Sequence, residues 1–213
     1  MHDKIRHLFE KGGKFHHVGP LFDAADTFAF TPHHETHRGA HVRDAVDIKR
    51  VMITVIYALM PCFLFGVWNA GHQYNVAHAI AEADFVADVI RGLIIVIPVI
   101  FVSYAVGGFW EVLFACIRKH PINEGLLVSG FLFPLILPPT IPLWQVAVGV
   151  SFGIVIGKEI FGGTGMNIVN PALLCRAFLF FAYAKTMTGN VWIASAGDVA
   201  VDAVTGATPL GIL

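Results

Sequence analysis

Apolar residues are concentrated in five runs along the chain, and polar residues dominate before the first run and after the last. The runs cover residues 51–68, 92–117, 125–137, 141–157 and 168–184. The first run has no charged residue in eighteen positions and directly follows Lys49 and Arg50, which is the length and the flank of a membrane-spanning helix. The pattern therefore predicts an all-α fold, a polytopic membrane helix bundle with about five membrane segments.

The runs differ in length, and this difference predicts broken or half helices within the bundle. The 26 residues of run 92–117 correspond to about 39 Å of helix, enough to cross a hydrocarbon core of about 30 Å with tilt or a break. The thirteen residues of run 125–137 are too few to cross it, so we expect a half helix or a broken span there. Three prolines in segment 138–142 predict a hinge between this run and the next.

The distribution of apolar runs divides the chain into three parts. Residues 1–50 are predicted to form a cytoplasmic or interfacial N-terminal arm, residues 51–184 the membrane helix bundle, and residues 185–213 a loop on the outer face. The first fifty residues contain no apolar segment typical of a cleavable signal peptide, so we expect membrane insertion to begin at Val51.

Lysine and arginine residues near the ends of the runs indicate the orientation in the membrane. Four precede the first run and two follow the second, whereas the intervening loop 69–91 has only one: Arg38, Arg43, Lys49, Arg50, Arg118, Lys119 and, in the loop, Arg91. Because positively charged loops stay in the cytoplasm, the N-terminus is predicted to be cytoplasmic. If the proline hinge closes a hairpin, Lys158 is cytoplasmic as well. If the hinge instead lies mid-membrane in one broken crossing, this assignment fails.

The composition supports a membrane protein and excludes other classes. Of 213 residues, 56% are hydrophobic and 14% charged, and the formal net charge is -1. An ordinary soluble domain has about 25% charged residues, and a nucleic-acid binder or a disordered tail has more. The three cysteines lie far apart inside apolar runs, which argues against a disulfide scaffold or an iron–sulfur cluster held by this chain alone.

Two local patterns suggest ligand sites without completing them. His33, His34, His37 and His41 have spacings that would suit a divalent metal, but no cysteine or clear acidic set accompanies them. We expect a solvated arm and no metal site. Segment 162–165, Gly-Gly-Thr-Gly, lacks a preceding strand and is therefore predicted to be a loop rather than a dinucleotide-binding fingerprint.

A carboxylate inside the second run is the first candidate for chemistry. Placing Glu111 at the centre of a membrane helix costs roughly 2.5 to 3.5 kcal/mol unless it faces protein, water or an ion. It is therefore either a functional carboxylate or a packing acid near Arg118. Gly107 and Gly108, just before it, lack a Cβ atom and would allow another backbone or a flat ring to approach closely.

A cation and an aromatic cluster stand inside the last run. Arg176 is expensive in lipid, so we expect it to face the bundle interior or an interface and to pair with a phosphate, a carboxylate or a backbone carbonyl. Phe178, Phe180 and Phe181 supply apolar faces beside it, and such residues are equally suited to a ligand pocket, a helix core or a lipid-facing surface.

The polar segment 202–208, Asp-Ala-Val-Thr-Gly-Ala-Thr, follows the last run. By its residues alone it is a flexible turn, although a threonine hydroxyl beside glycine and alanine is open to a modifying enzyme. The segment resembles the flavinylation motif Asp-x-x-Ser/Thr-Gly-Ala-Thr, in which FMN is joined through a phosphoester bond to the final threonine. That residue is Thr208 in this chain.

Further motifs, in the same order, extend the resemblance over nearly the whole chain. They are HVRD at 41–44, DIKR at 47–50, GGFWEVLF at 107–114, RKH at 118–120, NEG at 123–125, PPT at 138–140, PLWQ at 142–145, KE at 158–159, FGGTG at 161–165, NPAL at 170–173 and RAFLFFAY at 176–183. Together they resemble the N-terminal half of the B subunit in the family of sodium-translocating NADH:quinone oxidoreductases. A string of independent motifs is more specific than the flavin motif alone.

This resemblance implies a membrane electron-transfer subunit of a respiratory enzyme in the bacterial inner membrane. It implies covalent FMN at Thr208, a noncovalent riboflavin, ubiquinone as substrate, and sodium transport coupled to the redox chain. Glu111 would be a sodium- or quinone-site carboxylate, and Gly107 and Gly108 would border the quinone site. Arg176, whose chemistry allows it to pair with a phosphate, would serve a flavin phosphate, and the resemblance implies that Phe178 and Phe180 lie near the quinone pocket.

The resemblance also implies partners and leaves two alternatives. The partners are an NADH-oxidising flavin and iron–sulfur subunit, a second FMN-carrying subunit, small membrane subunits and membrane lipid, with no nucleic acid. The family continues beyond the position of Leu213 with a second set of spans, whose groups would help to enclose the flavins. The alternatives are the D subunit of the Rnf-type complex, which shares the flavin motif, and a small-solute transporter without flavin, suggested by broken helices.

Overall fold

Apolar helices make up most of the part of the chain that the computed structural model describes, residues 48–78, 84–118 and 125–192. These residues contain no β-strand, which confirms the all-α prediction. The elements are α1 (Ile48–Ala77), α2 (Phe85–Arg118), α3 (Gly125–Leu135), α4 (Leu143–Ile154) with the π-helical segment Val155–Glu159, α5 (Pro171–Ala182), the short α6 (Ala184–Met187) and the 3-10 turn Gly189–Trp192. The predicted arm and the segment with Thr208 lie outside the described residues.

Helices α1 and α2 are long and apolar enough to cross a membrane. They have 30 and 34 residues, about 45 and 51 Å of helix. Their large apolar side chains point outward rather than into a core, as at Phe65, 63% exposed, and Phe101, 70% exposed. Helices are therefore confirmed at the predicted spans 51–68 and 92–117, and each helix extends beyond its apolar run.

Helices α3 and α5 are half helices. With 11 and 12 residues they measure about 17 and 18 Å, well short of a hydrocarbon core of about 30 Å. Helix α5 begins only at Pro171, where the Asn170 side-chain oxygen accepts hydrogen bonds from the backbone N–H groups of Ala172 and Leu173. The prediction of half or broken helices is confirmed at run 125–137, and run 168–184 is also shorter as a helix than its apolar length.

Helix α3 runs antiparallel to α2. A Cβ atom at Gly107 would lie 2.7 Å from the Leu126 side chain, while one at Gly130 would lie 2.9 Å from the Tyr104 ring, so the contact moves backwards along α2 as α3 advances. The Tyr104 hydroxyl also donates a hydrogen bond to the backbone oxygen of Leu127, at 2.6 Å. This bond satisfies a carbonyl close to the start of α3.

Helix α4 runs parallel to α2, so α3 and α4 form a hairpin. The Trp110 indole donates a hydrogen bond of 2.9 Å to the Ser151 hydroxyl in α4, and further along both helices Glu111 meets Lys158. The prolines of segment 138–142 close the hairpin at the opposite end. The two runs therefore do not form a single broken crossing.

Helix α5 returns antiparallel along α4. Gly153 of α4 lies against Cys175 of α5, and Gly149 lies against Leu179, where a Cβ atom would be 2.9 Å from the leucine side chain. The bundle thus has two ends. The charged end contains Arg118 and the π-helical segment, and the hinge end contains segments 138–142 and 183–192, which are joined by a hydrogen bond of 2.8 Å from the Thr140 hydroxyl to the Val191 backbone oxygen.

The core lies between α2, α3, α4 and α5. Its buried apolar residues include Val99, Phe133, Leu137, Val146, Val150, Ile154 and Leu179. One face of α2 supplies mostly small residues to this core, spaced four apart over its second half: Ser103, Gly107, Glu111 and Ala115. Small residues let the backbones of membrane helices approach closely, and the carboxylate of this face therefore ends up inside the bundle.

Helices α1 and α2 cross at two glycines near the hinge end. A Cβ atom at Gly71 would overlap the backbone oxygen of Asp88, and one at Gly92 would overlap that of Val67. Beside the crossing the buried Asp88 carboxylate accepts a hydrogen bond of 2.7 Å from the Asn75 amide and pairs with His72 Nδ1 at 2.8 Å. Both carboxylate oxygens thus have partners on α1, which holds the two spans together.

Candidate functional site

A buried ion pair joins α2 to the segment that follows α4. Glu111 is 5% exposed and Lys158 is 3% exposed, and the Lys158 Nζ atom contacts Glu111 Oε1. An isolated carboxylate or ammonium group in a dry interior is very costly, so each group depends on the other for its charge. The pair is a polar link inside an otherwise apolar bundle.

Two further charged residues surround this pair. Glu159 is 2% exposed, and its Oε1 atom lies 4.0 Å from Lys158 Nζ. Arg118 Nη1 lies 3.9 Å from Glu159 Oε2 and donates a hydrogen bond to the Glu159 backbone oxygen. We call Glu111, Arg118, Lys158 and Glu159 the charge cluster. Its two carboxylates and two cations have a formal net charge of zero.

The π-helical segment explains how two neighbouring residues both face inward. Successive side chains of an α-helix point about 100° apart, so three consecutive residues are seldom buried together. Gly157, Lys158 and Glu159 are all buried, in a turn where the Ile160 N–H donates to the Val155 backbone oxygen at 3.0 Å. Such wide turns occur mostly as single interruptions and often at functional sites.

Sequence reasoning found Glu111 but not its partner. The packing alternative placed Glu111 near Arg118, whereas its contact is Lys158, and Arg118 contacts Glu159 instead. The available signal was the end of apolar run 141–157: a buried carboxylate in one run needs a counter-charge, and Lys158 directly follows another. Only the hairpin, with α4 parallel to α2, shows that the two meet.

The paired glycines before Glu111 have different surroundings. Gly107 is buried, and a Cβ atom there would be 2.7 Å from Leu126 and 3.4 Å from Val150. At Gly108 the nearest heavy atom would be a Leu126 methyl at 3.8 Å, which is ordinary contact. A side chain at Gly107 would therefore meet its helix neighbours, whereas Gly108 has space beside it.

The chain matches a known protein family along most of its length. A profile of the NQR2, RnfD, RnfE family matches residues 35–213, which include the whole charge cluster. The chain belongs to this family. This match confirms the resemblance that the sequence motifs indicated.

Curated relatives within the NQR2, RnfD, RnfE family are named as the B subunit of Na(+)-translocating NADH-quinone reductase. The protein of Stutzerimonas stutzeri (strain A1501) is 50% identical and matches 99% of this chain and 56% of its own length. That of Ectopseudomonas mendocina (strain ymp) is 48% identical with the same coverage, and that of Yersinia pestis is 44% identical over 98% of this chain. The chain thus spans about half the length of these relatives.

Helix α5 packs against α4 and touches the π-helical segment, but the contacts of its candidate residues are with groups outside the charge cluster. Arg176 is partly buried, with its guanidinium carbon 5.6 Å from the centre of the Trp192 ring, and it forms no ion pair with another residue in the described ranges. Phe178 stacks on Phe152, with ring centres 4.2 Å apart, whereas Phe180 is 44% exposed. Phe178 therefore packs between helices, and Phe180 points away from them.

The remaining candidate ligand-binding segments either form a turn or lie outside the described residues. Segment 162–165 is a turn with positive φ angles at Gly162, Gly163 and Gly165, which confirms the predicted loop. The histidines of the arm and Thr208 fall outside the described residues. In the described ranges, no group of three or more His, Cys, Asp or Glu residues could hold a metal ion.

Proposed function

We propose that this chain is the electron-transfer part of the B subunit in a sodium-pumping NADH:ubiquinone reductase. The observation that carries the proposal is the match of 99% of the chain, at 50% identity, to a relative named as the B subunit of Na(+)-translocating NADH-quinone reductase. The buried carboxylate of Glu111 in a membrane helix supports it, since such a group is expensive and usually functional. The alternative is the D subunit of the Rnf-type complex, which is supported only by the family profile, because that profile includes RnfD as well as NQR2.

Electrons reach this chain from a partner and leave it on ubiquinone. FMN is linked to Thr208 through a phosphoester bond, and a noncovalent riboflavin relays electrons onward. A covalent bond prevents loss of the cofactor and fixes its distance to the next carrier. Thr208 lies outside the described residues, and its place on the outer face follows from the orientation proposed for the bundle.

The two ends of the bundle are assigned to opposite sides of the membrane. The charged end, with Arg118 and the start of α1, faces the cytoplasm, because lysine and arginine residues are retained there. The hinge end and segment 185–213 then face outward. The chain is a multi-pass protein of the bacterial inner membrane, and residues 1–50 form its cytoplasmic arm.

Glu111 is the carboxylate that takes part in sodium uptake or in quinone binding. The charge cluster is neutral as it stands, so an added cation leaves it with a charge of +1 in a poorly polarisable interior. A negative charge arriving nearby reduces this cost. Electron transfer to an acceptor close to the cluster therefore favours cation binding, which is an electrostatic link between the redox reaction and ion transport.

The partners of the chain are the other subunits of the complex. They comprise an NADH-oxidising flavin and iron–sulfur subunit, a second FMN-carrying subunit and small membrane subunits. The apolar outer faces of α1 and α2 suit lipid or such membrane subunits, since side chains like Leu64, 61% exposed, and Ile94, 61% exposed, point out of the bundle. On this proposal Arg176 serves a flavin phosphate, and Phe178 and Phe180 lie near the quinone pocket.

Covalent flavin is tested by denaturing gel electrophoresis with in-gel fluorescence. From a host with the flavin transferase, the wild-type chain is expected to give a fluorescent band, and Thr208→Ala is expected to abolish it. Thr188→Ala, at an exposed threonine in the described region, is the matched control and should keep the band. A dark wild-type band, or a fluorescent Thr208→Ala band, would contradict the proposed attachment.

Leucine substitution of the paired glycines separates packing from quinone binding. Gly107→Leu is expected to lower the yield of assembled complex, because overpacking against Leu126 costs about 1–3 kcal/mol. Gly108→Leu should assemble normally and raise the KM for ubiquinone, because its side chain enters the open space. The readouts are blue native gels and quinone titrations. An unchanged KM in assembled Gly108→Leu would return Gly108 to a packing role.

A further inference from the structure

We propose that the Lys158 ammonium group is a built-in cation that moves between Glu111 and Glu159, and that a sodium ion binds Glu111 only when Lys158 has moved. Lys158 is thus a positioning residue that controls access to the carboxylate. This inference rests on the proposed function, because it takes sodium as the transported ion.

The first observation is that Lys158 occupies the carboxylate that sodium would need. Its Nζ atom contacts Glu111 Oε1, and both side chains are nearly inaccessible to solvent, 4% and 6% exposed. An ammonium group and a sodium ion each have a single positive charge and compete for the same oxygen. Two cations at one buried carboxylate repel each other strongly, because little water screens them. The lysine therefore has to leave before the ion binds.

The second observation is that Glu159 offers Lys158 another position. Glu159 Oε1 is 4.0 Å from Lys158 Nζ, so an ammonium group that moves beyond contact with Glu111 can end in a charge-assisted hydrogen bond to Glu159. Lysine has a flexible four-carbon stem that allows such a shift. The other carboxylate oxygen of Glu159, Oε2, is buried without a hydrogen-bond partner, so this carboxylate has unused capacity.

The third observation is that the cluster holds its backbone in place while the lysine moves. Arg118 donates to the backbone oxygen of Glu159, which fixes the π-helical segment independently of the Lys158 side chain. After exchange, sodium lies at Glu111, Lys158 pairs with Glu159, and Arg118 remains 3.9 Å from Glu159 Oε2 if that carboxylate stays in place. Glu159 then faces both Lys158 and Arg118, and the cluster as a whole has a charge of +1.

The test measures how quinone reduction by the assembled complex depends on sodium concentration. Lys158→Met removes the competing cation and is expected to lower the half-saturating sodium concentration about tenfold, which is the lower end of measured couplings between close charges. Glu159→Gln removes the second position, so Lys158 stays on Glu111 and the half-saturating concentration should rise by about the same factor. Lys185→Met, at an exposed lysine of α6, is the matched control and should leave it unchanged.

The double variant Lys158→Met/Glu159→Gln distinguishes the exchange from direct binding of sodium by Glu159. Without Lys158 the loss of Glu159 should no longer weaken sodium binding, so the double variant should resemble Lys158→Met. If Glu159 were itself a sodium ligand, the double variant would still need more sodium than Lys158→Met. That result would overturn the proposal.

A readout other than turnover is the thermal stability of the complex in sodium and in choline buffers. Sodium should stabilise Lys158→Met more than the wild type, because the ion then supplies the missing counter-charge of Glu111.

The exchange would be overturned if the half-saturating sodium concentration shifted in the same direction in both single variants, or if it shifted less than twofold in them. If Lys158→Met fails to assemble, an unchanged or lowered half-saturating sodium concentration in Glu159→Gln would still overturn the exchange. Wild-type quinone reduction without any response to sodium would instead contradict the proposed function.

Discussion

Replacing Lys158 by methionine in sodium-free buffer is expected to destabilise the bundle by roughly 3–5 kcal/mol, the usual effect of breaking a buried ion pair. Methionine has a similar length but no charge, so the change leaves the buried Glu111 carboxylate without its contact. Arg118 cannot replace the lysine, because it is held at the backbone oxygen of Glu159. The measurement is thermal unfolding of the detergent-solubilised complex in choline buffer.

The double replacement Glu111→Gln/Lys158→Met is the internal control for this prediction. It removes both charges, and replacing a buried pair by neutral side chains of similar volume is often close to neutral. We expect the double variant to recover at least about 2 kcal/mol relative to Lys158→Met, a coupling typical of residues in direct contact. Additive effects of the two single changes would show that the pair contributes nothing as a pair.

Gly71→Ala is expected to destabilise the α1–α2 pair by about 3 kcal/mol, at the upper end of overpacking. The added methyl group would overlap the backbone oxygen of Asp88, and a backbone cannot move aside as a flexible side chain can. The helices must separate, which also weakens the hydrogen bonds that Asn75 and His72 make to Asp88. The yield and the melting temperature of the assembled complex report the effect.

Gly66→Ala is the matched control on the same helix and should have the opposite sign. A Cβ atom at Gly66 would meet nothing within 4 Å, so there is no overlap. Alanine is favoured over glycine in a helix by about 1 kcal/mol, and this substitution should leave stability unchanged or raise it. Equal effects of the two alanine substitutions would contradict the close crossing at Gly71.

The two predictions concern opposite ends of the bundle, and together they describe how the polar groups are placed. Near the hinge end, Asp88 has its hydrogen bonds satisfied by α1 and serves to hold the spans together. At the charged end, Glu159 keeps a buried oxygen without a hydrogen bond. A fully satisfied carboxylate rigidifies its surroundings, whereas one with unused capacity can exchange partners. The charged end is therefore the better candidate for ion chemistry.

The order of apolar and polar positions was sufficient to predict the fold class and the helices. A run of eighteen uncharged residues has few alternatives to a spanning helix, because a lipid environment requires every backbone group to be satisfied within the element. Glu111 was also identifiable, since a carboxylate within such a run has to be compensated. The motif order was enough to indicate the family, which the profile over residues 35–213 confirms.

Contacts between distant segments could not be read from the order of residues. The hairpin direction, the pairing of Glu111 with Lys158 and the different surroundings of Gly107 and Gly108 all depend on which helix faces meet in space. These partners are separated by tens of residues, and a π-helical turn shifts the inward face by one position without any mark in the sequence. Local periodicity therefore specifies the helices and the costly charge, and the packing of α2 against the α3–α4 hairpin selects the side chain that compensates it.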